Sequence, residues 1–209
     1  HWTAPEMILH PNRPDDGQFH GLSVVHAHGL YLGLLQRLDF GGFDQGGSGR
    51  MPAELIWSQD GQHWQRPFSD DWFLPLHPDS KAFDAGCLWT SATVMHHEKA
   101  SYLYYGAYPS WHADFNAQGT GIGVRVLPRD RWVGLHPQGE IGQVTFKPWH
   151  IEAGSHLTLN ADASEGELRV EWLDASGYRI QGLTQTDGPP LKGDHLEHRP
   201  KWKARTPLG

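Results

Sequence analysis

The sequence predicts an all-β chain: a partial β-propeller of two four-stranded blades, followed by an incomplete β-sandwich. Three observations predict it. Apolar residues come in short runs rich in Val, Leu, Trp and Tyr, broken by Gly, Asp and Pro, and no long stretch repeats at the 3.6-residue period of an amphipathic helix. Turn-formers are abundant, with 25 Gly and 15 Pro among 209 residues. One four-strand layout also recurs after roughly seventy residues, somewhat longer than common blade repeats.

The first expected blade begins with a strand over residues 19–26, turns at 27–29 and returns over 30–38. A Gly-rich loop (41–49) leads to a third strand over 54–58, a turn at 59–61 and a fourth strand from Trp64. The Ser58-Gln59-Asp60-Gly61 stretch carries its own turn chemistry. Asp-Gly supplies a positive-φ corner, Ser58 and Asp60 can accept from the turn's amides, and Trp64 packs back over it. The second expected blade repeats the plan: strand 83–96, turn 98–100, strand 102–108, polar loop 114–119, strand 121–127, turn 129–130 and a strand from Trp132. Tyr31-Leu32-Gly33 matches Tyr102-Leu103-Tyr104, and Trp64 matches Trp132. This places the propeller part over residues 1–137. Two blades leave wide apolar faces open, so missing blades from a longer parent chain, or partners, are expected to cover them.

Over residues 138–209 the pattern changes to that of a half-solvated sheet. Strands are expected at 142–147, 156–161, 167–173 and 178–183, with polar turns at 163–166 and 174–177. Leu168, Val170 and Trp172 share one pleat face, and Arg169 and Glu171 the other. Four strands are fewer than a complete sandwich needs, so this part is expected to be truncated.

Composition excludes several functions. The formal net charge is −7, and only Arg199, Lys201, Lys203 and Arg205 form a locally basic stretch, so no nucleic-acid partner is expected. No apolar run approaches the ~20 residues of a membrane span, so no membrane partner is expected either. Cys87 is the single cysteine, which rules out an intrachain disulfide. Fifteen histidines are present, but neither His26 and His28 nor His96-His97-Glu98 has a recognised metal-ligand spacing; no metal and no cofactor are expected. The chain starts at His1, so processing or truncation is expected to have removed what came before, and a secreted or periplasmic setting stays open.

Several segments resemble bacterial proteins related to glycoside hydrolase family 32, within the β-fructosidase and arabinanase superfamily. They are the run from Glu54 to Trp64, Phe83-Asp84-Ala85-Gly86, and Tyr104-Tyr105-Gly106 with His112 nearby. Arg129-Asp130-Arg131-Trp132-Val133, Leu157-Thr158-Leu159-Asn160 and Gly166-Glu167-Leu168-Arg169-Val170-Glu171 add to it, and Gly182 and Asp187 through Gly193-Asp194 continue the pattern. The resemblance implies a five-bladed propeller followed by a sandwich, with this chain supplying the fourth and fifth blades. It also implies that three catalytic carboxylates lie on the first three blades, outside this chain. The implied function is that of the rear part of a glycoside hydrolase-like protein acting on poly- or oligosaccharides. A non-catalytic carbohydrate-binding or interaction module is the alternative, and a structural remainder without activity a third.

The innermost strand of each blade lines the axial pocket, which makes Asp84 and His20 substrate-binding candidates. Asp84 is either a pocket carboxylate flanked by small residues that admit a ligand, or a turn residue bonding local amides. His20 either bonds a sugar hydroxyl or lies near a central ion, or is an ordinary hydrogen-bonded sheet histidine. The stretch from Tyr105 to Asp114 is the most site-like: Tyr105 and Trp111 offer faces to a sugar ring, and His112 and Asp114 can bond hydroxyls. Its other reading is a loop whose aromatics seal the blade interface, and Trp72-Phe73 invites the same pair of readings. Glycosidic cleavage needs two carboxyls about 5–10 Å apart. Asp84 has no evident partner: Glu54 starts a third strand and Glu98 lies in a turn, so the catalytic residues remain unknown.

Overall fold

The computed structural model describes residues 2–13, 15–40, 49–69, 71–114, 116–152 and 154–204. The expected Gly-rich loop, apart from Gly49, and Arg205 of the basic stretch lie outside these residues. Nine strands and no helix are present among them: β1 (Gln18–Ala27), β2 (Leu30–Leu38), β3 (Ala53–Ser58), β4 (Trp64–Gln65), β5 (Cys87–His97), β6 (Ala100–Tyr108), β7 (Gly121–Pro128), β8 (Leu159–Leu168) and β9 (Leu191–His198). No described helix is long and apolar enough to cross a membrane. The all-β expectation holds.

The strands form antiparallel sheets in the orders β1-β2-β3-β4, β5-β6-β7 and β8-β9, none of them closed. The chain divides into two compact units, His1–His97 with Ser101–Val126 and Glu98–Ala100 with Leu127–Gly209.

In the first unit, β1 to β4 follow the expected meander. Leu22 pairs with Leu35 and Val24 with Gly33; Gly33 pairs with Ile56 and Leu35 with Glu54. β2 is buried on both faces from Leu32 to Leu38, so its near-continuous apolar sequence is what a central strand covered twice requires. The β3–β4 hairpin forms as its residues dictate. Ser58 Oγ accepts from the Gly61 amide at 2.9 Å, and Asp60 Oδ1 accepts from the amides of Gln62 and His63, each at 2.8 Å. Trp64 Nε1 donates back to the Gly61 carbonyl at 3.1 Å, and Gly61 holds φ at 77°.

The first two sheets touch through polar side chains. Ser23 Oγ of β1 donates to the Thr90 carbonyl of β5 at 2.8 Å, and Gln36 Nε2 of β2 donates to Thr90 Oγ1 at 3.0 Å. Leu38, Met51 and Cys87 form a buried apolar cluster, closed by Phe40, Trp89 and Tyr108.

The second sheet departs from expectation at both ends. Phe83 to Gly86 lie in turns before β5 rather than in its first strand. Gly86 shows why. Its amide donates to the Tyr108 carbonyl, its own carbonyl accepts from Met51, and a Cβ there would stand 1.8 Å from the Ser110 carbonyl oxygen. The small residue Gly86, two positions after Asp84, therefore admits a neighbouring backbone. The expected fourth strand from Trp132 is also absent. Trp132 is buried as an anchor, but the backbone after the Arg129-Asp130 turn forms no ladder.

In the second unit, β8 pairs with β9, and β9 was not anticipated. The turn expected at 163–166 lies inside β8 as an irregularity: Ala163 faces Gly193 and Leu168 faces Leu191, so the excess residues of β8 bulge out. Ser164 stabilises the bulge by donating its amide and hydroxyl to Asp162 Oδ1. The turn at 174–177 forms, with Asp174 Oδ1 accepting from Ser176 and Tyr178. Of the strands expected beside it at 167–173 and 178–183, residues 167–168 end β8, and the rest keep one antiparallel bridge, Leu173 to Arg179, with Trp172 bonded through its backbone to Ile180 and Leu183. Residues 142–147 keep the alternation of a strand, yet Val144 and Phe146 are exposed and no described strand pairs with them. Alternation reports which side chains could share a face; a ladder also needs a partner backbone.

Candidate functional site

The sequence-predicted residues separate into a buried group and an exposed one. Asp84 belongs to the buried group. Its side chain accepts a hydrogen bond from Tyr105 Oη at 2.8 Å and faces Arg125 Nη2 at 3.3 Å. Tyr105 projects inward from β6, stacks on Phe83 with ring centroids 6.2 Å apart, and carries the Arg125 guanidinium over its ring. Burial pushes the Tyr105 phenol up to about 12, its hydrogen bond to Asp84 adds to this, and the Arg125 charge works against it. Tyr105 is thus a neutral donor inside the sheet packing. Asp84 is 4% exposed and already charge-compensated, the arrangement of a structural carboxylate.

The exposed group lies around His20 and the loop after β6. His20 projects from β1, and His112 follows β6; they are 92 residues apart, yet their Nε2 atoms stand 2.6 Å apart with ring centroids at 4.4 Å. Two facing imidazole nitrogens at that distance hold one proton between them: one donates and the other accepts. Burial, then the neighbouring His20 charge, lowers the His112 pKa below the ordinary histidine value. The loop backbone is fixed where it carries His112, whose amide donates to the Gly49 carbonyl at 2.9 Å and whose carbonyl accepts from Tyr108 Oη at 2.9 Å. Trp111 precedes it and is 54% exposed. Asp114 is partly occupied: Oδ2 accepts from Ser110 Oγ at 2.6 Å and Oδ1 from the Asn116 amide at 3.1 Å.

The stretch from Tyr105 to Asp114 is therefore not one loop. Its first residues end β6, with Tyr105 and Ala107 facing inward, and only the part from Pro109 onward leaves the sheet. What the exposed group offers is a histidine pair able to donate and accept, with the exposed Trp111 next to His112 in sequence. That set bonds hydroxyl groups against an apolar ring face. It lacks a pair of free carboxylates. Among the described residues no three metal-ligating side chains converge.

The most elaborate polar cluster of the first unit escaped the sequence reading. Asp16, Arg37, Glu54 and Arg66 form a buried ion network. Arg66 Nη2 stands 2.8 Å from both Asp16 Oδ1 and Glu54 Oε2, and Arg37 Nη1 stands 3.3 Å from Glu54 Oε2. Arg37 also donates to the Ser69 carbonyl and lies 4.1 Å over the Trp72 ring, which gives Trp72 a packing role. Burial alone would discourage ionisation of Asp16. The hydrogen bond from Arg66 and those from the amides of Asn12 and Arg13 outweigh it and hold the carboxyl well below the usual range. The available signal was a charged residue at an inward strand position: Arg37 and Glu54 each interrupt an otherwise apolar run. Two acids compensating two guanidiniums leave no free base or nucleophile, so the network clamps the fold.

Comparison with known protein families, curated proteins and solved structures returns no match.

Proposed function

We propose that this chain is the rear part of a glycoside hydrolase-like protein acting on poly- or oligosaccharides, and that it contributes pocket wall and sugar contacts through His20, Trp111 and His112. In this reading the sheets β1-β2-β3-β4 and β5-β6-β7 are two neighbouring propeller blades, and the second unit is part of an accessory sandwich. The observation that carries it is the meeting of His20 and His112 across the two sheets, with the exposed Trp111 preceding His112 in the chain. The four-strand meander and the motif order in the sequence add to it. Asp84 is engaged by Tyr105 and Arg125, so the proposed contacts are centred on His20, Trp111 and His112.

A non-catalytic carbohydrate-binding module is the second reading, favoured by the engagement of Asp84 and Glu54 with arginines. Calorimetric titration of the chain with fructo- and arabino-oligosaccharides tests both. Saturable binding that Trp111→Ala and His112→Ala each weaken about tenfold or more, without hydrolysis by this chain, is expected. An absence of saturable heat with every sugar, or binding untouched by both substitutions, would sink the proposal. Hydrolysis assays on the longer parent chain then separate enzyme from binding module.

A further inference from the structure

The second unit contains a cleft that the reading above leaves unused. It has a volume of about 310 Å³ and is lined by Trp149, His150, Glu152, Ser155, His156 and Trp172, among others. Such a volume lies at the small end of ligand sites, large enough for one or two sugar rings. Trp149 is 56% exposed and is held edge-on by Phe146, with centroids 5.9 Å apart. Trp172 is braced from behind by Trp202 at 6.0 Å, and Trp202 is itself anchored by donating Nε1 to the Val170 carbonyl at 3.0 Å.

Among the described residues, one buried polar atom of this lining lacks a partner. Trp172 Nε1 is buried without an acceptor, which is uncommon enough in folded proteins to need an explanation. Glu152, His150 and His156 are exposed at the cleft. We infer that this cleft binds a neutral saccharide, with Trp149 as the stacking platform, Glu152 and the two histidines bonding hydroxyls, and Trp172 donating to a sugar oxygen after a small ring rotation. The donors decide between ligand classes. A cation could also use two tryptophans and a carboxylate, but it brings no acceptor for Trp172 Nε1–H, Ser155 Oγ–H or the imidazole N–H groups. A polyol brings both donors and acceptors.

The site is independent of His20, Trp111 and His112, so the two can fail separately. The test is an indole-region ¹H–¹⁵N titration of the whole chain, with the Trp172 resonance assigned through Trp172→Phe. The probes are fructo-, arabino- and cello-oligosaccharides, each taken to about 20 mM, well above a ~1 mM Kd, with tetramethylammonium as the cationic competitor. A saturable shift of the Trp172 resonance with at least one sugar is expected. It should persist in Trp111→Ala and weaken about three- to tenfold in both Trp149→Ala and Glu152→Gln. No saturable shift with any sugar, a shift caused by tetramethylammonium alone, or sugar affinity unchanged in both cleft variants would overturn the inference. Because Trp149 and Glu152 are exposed, both variants are expected to keep the melting temperature of the parent chain.

Discussion

The two sheets of the first unit share a three-strand meander, to which the first adds β4, but they are covered differently. In β1-β2-β3-β4 the central strand β2 is buried on both faces, and a four-member ion network is buried beside it, with Arg37 held by the Ser69 carbonyl and the Trp72 ring. In β5-β6-β7 the inward residues of β6 are buried, whereas Ile122, Val124 and Val126 of β7 are 83%, 43% and 54% exposed. A strand repeat therefore fixes where the backbone pairs, while the segments outside the repeat decide which faces are covered. Charge is tolerated inside the first sheet because those segments bring the opposite charge: Asp16 precedes β1 and Arg66 follows β4.

The comparison is broken most severely at Glu54. Its side chain is fully buried, and Glu54→Ala leaves two buried guanidiniums with Asp16 as their one acid in the network, an expected loss of about 3–5 kcal/mol read by urea unfolding. A loss below about 1 kcal/mol would mean that the network is solvated and the first sheet is not sealed. Next comes Gly86, where the backbone before β5 crowds the backbone after β6. Gly86→Ala should cost about 1–3 kcal/mol, because its Cβ collides with the Ser110 carbonyl, while Gly106→Ala in β6 meets nothing within 4 Å and should be close to neutral.

Acid should act on Asp16 and on His112 in the same direction. Asp16 has a folded pKa below its unfolded value, so its contribution is present above about pH 4 and is lost as pH falls toward the folded value. His112 is likewise held below its unfolded value. The folded chain binds fewer protons there, and stability declines as pH drops below about 6.5. His63 has the opposite sign: Asp60 raises its pKa, so its contribution is present below about pH 6.5 and fades above. Melting curves from pH 8 to pH 3 should show an acid limb near pH 6 that His112→Ala reduces and His63→Ala does not. The smallest effect belongs to the open face, where Ile122→Ser should change stability by no more than about 0.5 kcal/mol. A large loss there would mean that β7 is covered in solution.

The strands of the first sheet were legible because their signals are local. The Asp60-Gly61 turn with Ser58, and the apolar runs of β2 and β3, specify their own geometry and leave little to tertiary context. The second sheet was half legible: β6 and β7 follow from alternation, but Phe83 to Gly86 looked like strand sequence and is turn, since the approach of residue 110 has no local mark. In the second unit the Ala163-to-Gly166 stretch carries turn residues, and pairing with β9 converts it into a bulge. At the candidate site, His20 and His112 were each visible as polar residues near a strand end, but their contact spans 92 positions and depends on how two sheets face each other. Asp84 misled for the reverse reason. Its sequence neighbours are small, and the partners that neutralise it, Tyr105 and Arg125, come from two other strands.

A crystal structure of this chain grown with a fructo- or arabino-oligosaccharide tests the sugar-contact proposal most directly. The account predicts a sugar ring against the Trp111 face, with a hydroxyl within hydrogen-bond distance of the His20–His112 pair. Two imidazoles lying far apart on sheets that do not face each other, or a ligand seated nowhere near them, would contradict it.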